Sequence, residues 1–423
     1  MVSVENDQPD FSRYVAIGDS VTSGYADGAL FYEGQQYAYP NLISNQLQQI
    51  SLVDFKQALL NSKSVGIGFM GNSRMVLKTG SDCSGNISYV PKYVAQQGDL
   101  EAFAANTYQL DGPFNNIAVP GAKSISLSYS EYGNPTKGVG NYNPFFTRMA
   151  SDVVNASMLS DALALNPSFF SLFIGNNDVL AYALSGGNVD KLTPPFGAPG
   201  IGFDGSVMEV VRALTTNNAK GAIASLPSLH SIPYFTVVPY NGLLLNQAEA
   251  DRLNIVYKDF GFVFKEGNNS FIIEDTFAAK DIRQAEKGDL ILADVLLNNS
   301  KCHYMRAHQP IPKKYVLNAS QTASIQTTIN AYNQSIKSIA VHYKLAFVDV
   351  NSFIKTLHDD SSYNAISCSV MYKRRGIFSL DGVHLSPFGQ ALLANVFIKA
   401  INAQYATIIP HVNILKYSGI LME

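Results

Sequence analysis

The chain has 423 residues, 47% of them apolar and 15% charged, with a net charge of −3. That balance fills a sizeable core and is too apolar for intrinsic disorder, and the lack of a basic excess argues against a nucleic-acid partner. No apolar run approaches the ~18 residues that a membrane-spanning segment needs; the length predicts one large domain with insertions, or two domains.

The start, Met1-Val2-Ser3-Val4-Glu5-Asn6-Asp7, has no signal-peptide core. Few charges, 23 tyrosines and many Asn, Ser and Gly point to export. The expectation is an exported protein, periplasmic or at the cell surface, with its leader removed. Cys83, Cys302 and Cys368 stand far apart with no C-x-x-C pair. Three cysteines cannot all pair, which argues against a disulfide framework and leaves one bridge plus a thiol open.

Tyr14-Val15-Ala16-Ile17 is a short apolar run and is predicted to be a buried parallel strand running into Gly18-Asp19-Ser20. A loop rich in Gly and Tyr follows, with Tyr25, Phe31, Tyr32, Tyr37 and Tyr39. Pro40 suits a helix's first turn, and Leu42, Ile43, Leu47 and Ile50 share its face. Residues 61–113 lose the alternation of strand and helix; Arg74–Leu77 and Ile87–Val90 suggest an inserted hairpin. Asn116-Ile117-Ala118-Val119 is the second predicted strand, ending in Pro120-Gly121-Ala122. After a helix closing at Leu165, Phe169–Ile174 is the third, ending in Gly175-Asn176-Asn177-Asp178. Ser185–Gly205 is predicted to be a surface loop, and Tyr234–Val238 the fourth strand.

Residues 241–315 depart from the pattern again, as a second insertion holding Phe271–Ile273 and Leu290–Leu292. Ile325, Ile329, Tyr332, Ile336, Ile339 and Tyr343 step by four and three, an amphipathic helix. Ala346–Val350 is the fifth strand. Ser386 as N-cap and Pro387 at the first position open the last helix, which turns Leu392, Leu393, Val396, Phe397 and Ala400 to the core. Strands separated by helical crossovers give an α/β fold: a flavodoxin-like three-layer α/β/α sandwich on a five-stranded parallel sheet, spanning 11–405.

Ligands bind at the carboxyl ends of such strands, where the three turns carrying Ser20, Gly121 and Asn177 fall. Farther on comes Ser379-Leu380-Asp381-Gly382-Val383-His384. A serine hydroxyl needs a base to become a nucleophile, and His384 suits that task near neutrality. Asp381, three residues earlier, can hold the imidazole's tautomer. With Gly-Asp-Ser, a glycine, G-x-N-D and D-x-x-H in this order, the chain resembles the SGNH (GDS-type) hydrolases, serine esterases and lipases on a flavodoxin-like sheet, in their exported bacterial branch. Val21 stands where that family often has leucine.

The resemblance implies an ester hydrolase working through an acyl-enzyme, with Ser20, His384 and Asp381 catalytic. It implies an oxyanion hole from the N–H groups of Ser20 and Gly121 and the Asn177 amide. The substrate would be a carboxylic ester, such as a lipid ester or an acylated carbohydrate. A silent glycan- or lipid-binding surface protein on the same fold, or an acyltransferase, are the alternatives. Asn176, one residue off the matching position, is expected to tolerate alanine; Asp19 is expected to serve its turn and Asp178 to cap a helix. No cofactor and no metal are expected. Cys302, His303 and His308 lie close in sequence but lack a carboxylate at ligand spacing.

Overall fold

The computed structural model describes residues 8–81, 87–101, 107–297, 301–357, 362–363, 366–367 and 376–419. A strand buried on both faces needs no polar side, and Tyr14–Gly18 (β1) and Phe169–Phe173 (β3) are buried at every residue. With Asn116–Ala118 (β2), Lys220–Ala224 (β4) and Ala346–Val348 (β5) they form one all-parallel sheet in the order β5-β4-β3-β1-β2. Helices cover both sides, so the chain has the expected α/β sandwich.

From the central pair β1/β3, the chain moves one way to β2 and the other way to β4 and β5. Right-handed crossovers then place the connecting helices on opposite faces. Tyr39–Leu47 (α1) packs beside the last helix, Pro387–Tyr405 (α6), with the Tyr39 ring stacked 4.5 Å from Phe397. The other face carries Met158–Ala164 (α2), Phe203–Thr215 (α4) and Ala319–His342 (α5), where Phe203 stacks 4.0 Å from Tyr332. Asn176–Leu184 (α3) leaves the end of β3. The strand order reverses at β1/β3, and there the carboxyl ends part to leave a crevice.

Two expectations fail. Tyr234–Val238 is not the fourth strand: Pro233 takes the first position of a short helix, Pro233–Thr236. Its Tyr234 N–H donates to the Gly382 carbonyl at 3.0 Å instead of a sheet neighbour. The fourth strand is Lys220-Gly221-Ala222-Ile223-Ala224, whose glycine and alanines carry little β signal. Their smallness is required, because the Phe170 ring of β3 lies across Gly221 and a Cβ there would come within 2.6 Å of it. The predicted loop to Gly205 in turn runs into α4, which buries Val207, Val210, Val211 and Leu214.

Pieces outside the sheet pair locally. Met75–Ser81 and Ile87–Tyr93 make an antiparallel hairpin. Residues 238–316 surround a separate apolar cluster that includes Leu243, Leu253, Ile273 and Ile291. Beside it Arg283 bridges Asp275 at 2.7 Å and Asp289 at 2.6 Å.

Candidate active site

β1 ends at Gly18, and Asp19 in extended conformation caps the single helical turn Ser20–Ser23 by accepting the Val21 N–H at 3.0 Å. Gly24 at φ +80° closes that turn in the left-handed region, where a Cβ would meet the backbone of Gly34. The turn lifts the Ser20 hydroxyl to the crevice while leaving the residue only 2% exposed. Across the gap, His384 Nε2 lies 2.9 Å from Ser20 Oγ, and His384 Nδ1 lies 2.8 Å from Asp381 Oδ2. A carboxylate only accepts, so Nδ1 carries the proton and Nε2 is left to accept from the serine.

The loop that brings His384 here folds on its own aspartate. Asp381 Oδ1 accepts the N–H groups of Val383 (2.9 Å) and His384 (2.8 Å), and Oδ2 also accepts the Gly28 N–H (3.0 Å). Asp27, next to Gly28, accepts the Leu380 N–H at 2.9 Å and donates its own N–H to Ser379 Oγ at 2.9 Å. The loop after Ser20 thus clamps the loop of His384 across 353 residues of sequence. Asp27 went unrecognised in the sequence; its only signal was an Asp-Gly turn step close after Gly-Asp-Ser.

Gly121 stands at φ +81° past β2, next to β1 in the sheet. Among the described residues, neither its N–H nor that of Ser20 has a hydrogen-bond acceptor. Asn177 donates one amide hydrogen to the Ala122 carbonyl at 3.0 Å, which leaves the other to a ligand. Asn176 is not a bystander: its amide donates to Asp19 Oδ2 at 2.9 Å. Nor does Asp178 cap its helix, since Gly175 at φ +117° holds the N-cap position of α3. Its buried carboxylate instead accepts the N–H (2.8 Å) and hydroxyl (2.6 Å) of Ser124, tying the loop after Gly121 to α3.

These carboxyls differ in how readily they ionise. Burial works to raise Asp381, but the His384 imidazole and the bonds from His384 and Val383 outweigh it and hold the group well below the usual carboxylate range. Burial wins at the others. It pushes Asp19 up to about 6 against the bonds from Asn176 and Val21, and Asp27 up to about 7 against the bond from Leu380. Asp178 is raised for the same reason despite Ser124. Asp381, facing the imidazole, ionises most readily of the four, and the carboxyls around it ionise at higher pH.

The tyrosine- and phenylalanine-rich stretch at 25–39 divides its work. Tyr25 lies against the His384 ring at 4.6 Å and near Phe69 at 5.1 Å, walling the site. Phe31 and Tyr39 are core residues. On the far side of the serine an apolar cavity of about 40 Å³ is lined by Leu180, Ile232, Val350 and Ile354, and reaches Ser20 and His384. His303 and His308 have ring centroids 5.9 Å apart, and no group of three or more metal-ligating side chains occurs among the described residues. Cys302 is disulfide-bonded, which removes its thiolate as a ligand; Cys83, Cys368 and His358 lie outside the described residues.

A hydrogen-bonded serine, imidazole and carboxylate at the switch point of a doubly wound sheet is the arrangement of a serine hydrolase. Residues 14–397 match the model of the family described as GDSL-like Lipase/Acylhydrolase. The chain belongs to that family and is a carboxylic ester hydrolase of the GDSL type.

Similar solved structures include an alpha/beta hydrolase enzyme from the metagenome of Lake Arreo, Spain, at 12% identity and TM-score 0.39, covering 94% of this chain and 99% of that one. An acetylxylan esterase from Geobacillus stearothermophilus has 13% identity and TM-score 0.34, covering 94% and 96%. A Clostridium thermocellum family 3 carbohydrate esterase has 13% identity and TM-score 0.35, covering 93% and 96%. No curated protein matches the chain.

Proposed function

We propose that Ser20, His384 and Asp381 are the catalytic triad and cleave a carboxylic ester through an acyl-enzyme. The observation that carries this is the unbroken chain from Ser20 Oγ to His384 Nε2 and from His384 Nδ1 to Asp381. As Ser20 Oγ attacks the ester carbonyl, His384 Nε2 takes its proton, and Asp381 stabilises the imidazolium. The negative charge that forms on the carbonyl oxygen is met by the N–H groups of Ser20 and Gly121 and by the free amide hydrogen of Asn177. The tetrahedral intermediate collapses as His384 returns the proton to the departing alcohol. Water, activated by the same imidazole, then releases the acid and restores the serine.

The substrate is the ester of a small molecule, a lipid or a carbohydrate. The disulfide at Cys302 and the low share of charged residues support an exported location. No helix among the described residues is long and apolar enough to cross a membrane.

A fluorophosphonate probe tests the assignment. It should label the chain once, at Ser20, with labelling lost in Ser20→Ala and much slowed in His384→Ala. A folded protein that takes up no probe and cleaves no p-nitrophenyl ester would refute it.

A further inference from the structure

Phe69 belongs to residues 61–113, where strand and helix cease to alternate, yet its ring reaches the reaction centre. One ring edge lies against Gly121, where an added Cβ would come within 2.9 Å of it. The ring centroid is 5.1 Å from that of Tyr25, which itself lies on His384 at 4.6 Å, and 5.4 Å from that of Phe145 in the short helix Pro144–Thr147. Tyr25 and Phe145 are buried, but Phe69 is 52% exposed. Its inner side is packed and its outer side is bare.

The ring is held in place before any substrate arrives. Ile67 and Leu30 exchange both backbone hydrogen bonds at 2.9 Å, and the Gly68 N–H donates to the Asn72 carbonyl at 2.8 Å. The Asn72 amide in turn donates to the carbonyl of Gly28, the residue whose N–H binds Asp381, at 2.9 Å. The turn carrying Phe69 is thus stapled to the loop that steadies His384. A ring fixed this way gives up little freedom when a ligand meets it.

The chemistry decides which part of an ester meets this ring. The carbonyl oxygen turns to the N–H groups of Ser20 and Gly121, and the alcohol oxygen must lie at His384 Nε2 to receive its proton. The alcohol half therefore departs between Gly121 and His384, the gap that Phe69 borders through its contacts with Gly121 and Tyr25. The acyl half points away, where the apolar cavity of Leu180, Ile232 and Ile354 reaches Ser20. A phenyl face carries no conventional donor or net charge, so apolar or flat surface gains most from it. Resting on the proposed function of Ser20, we infer that Phe69 sets the specificity of the reaction for the alcohol half of the ester. It favours alcohols that lay an apolar face on its exposed side over small ones.

Two ester series test this. Methyl, butyl and benzyl acetate vary the alcohol alone; methyl acetate, butyrate and hexanoate vary the acyl group alone. Acid release gives kcat and KM for the parent, Phe69→Ala and Phe69→Leu, each checked for folding by its thermal melt. Phe69→Ala should lose about tenfold more kcat/KM on benzyl than on methyl acetate, the scale of one ring contact and the apolar area it covers. Most of that loss should fall on KM, because the contact forms in the ground state and the transition state alike. Phe69→Leu, still apolar, should recover part of it. Along the acyl series both variants should lose the same factor on every ester.

A loss equal on all acetates and confined to kcat would mean that Phe69 only steadies Tyr25 and His384, and would overturn the assignment while leaving the triad in place. A loss that grows along the acyl series instead would overturn it too, by placing the ring beside the other half. A folded parent that cleaves none of these esters would refute the reading of Ser20 and take this one with it.

Discussion

Asp27 offers a test in which removing a charge should stabilise the protein. Its carboxyl is buried and pushed up from the usual 3.8 to about 7, chiefly by burial. The folded chain therefore holds this proton more tightly than the unfolded chain does. Stability from the group is complete below pH 3.8 and is lost as the pH rises toward 7, where the unfolded carboxyl is already ionised. At 1.36 kcal/mol per pH unit, the full loss above pH 8 comes to about 4 kcal/mol. Asp27→Asn removes this dependence and little else. Asparagine tolerates the φ of +52° found here, and its Oδ1 can still accept the Leu380 N–H.

The difference in stability between Asp27→Asn and the parent should therefore grow between pH 5 and pH 8, by about 2–3 kcal/mol. For a chain of 423 residues that is about 3 °C in Tm. Asp19, raised to about 6, tilts both proteins alike and cancels in the difference. Differential scanning calorimetry at the two pH values reads it directly, with probe labelling of Ser20 as a check that the His384 loop is intact. A difference that stays flat, or shrinks as the pH rises, would refute the buried-carboxyl argument.

Asn177→Ala should lower kcat by about 10²–10³ with little change in KM, since the donor acts on charge that exists only in the transition state; steady-state kinetics on p-nitrophenyl acetate measures it, and a KM effect alone would count against the assignment. At pH 8, above the value of about 6 to which Asp19 is raised, Asn176→Ala strips the Asp19 carboxylate of a charge-assisted bond of 2.9 Å and should destabilise the fold by about 1.5–3 kcal/mol. Denaturant melts check this, and an unchanged midpoint would show the bond to be dispensable.

The proposed reacting groups stand out in the sequence because each is marked locally. Gly-Asp-Ser after a buried strand, and Asp and His within one turn, reveal their purpose within a few residues. The strands read correctly were those whose own side chains supply the burial, as in Phe169–Phe173. The fourth strand was not legible because its burial belongs to a neighbour: Gly221 is small so that Phe170 can lie across it. Tyr234–Val238 misled for the converse reason, its apolar residues being equally suited to a short buried helix once Pro233 starts one. Asn176 looked like a spacer because Asp19, its partner, lies 157 residues away.

Those distant pairings have one effect in common. Asp19 to Asn176 joins the turn of β1 to that of β3, and Asn177 to Ala122 and Asp178 to Ser124 join β3 to the loop after β2. Asp27 to Leu380 and Gly28 to Asp381 join the loop after Ser20 to that of His384. Every loop bearing a reacting group is thus tied to another by a side chain that does not itself react. Oxyanion stabilisation requires donors already in place before charge develops, and loops left to themselves supply such precision poorly. The buried carboxyls of Asp19, Asp27 and Asp178 are costly to ionise, and that cost is the counterpart of the rigidity they confer. Relieving the cost at Asp27 while keeping its bond to Leu380 should raise stability without loosening the site; deleting the bond should do the reverse.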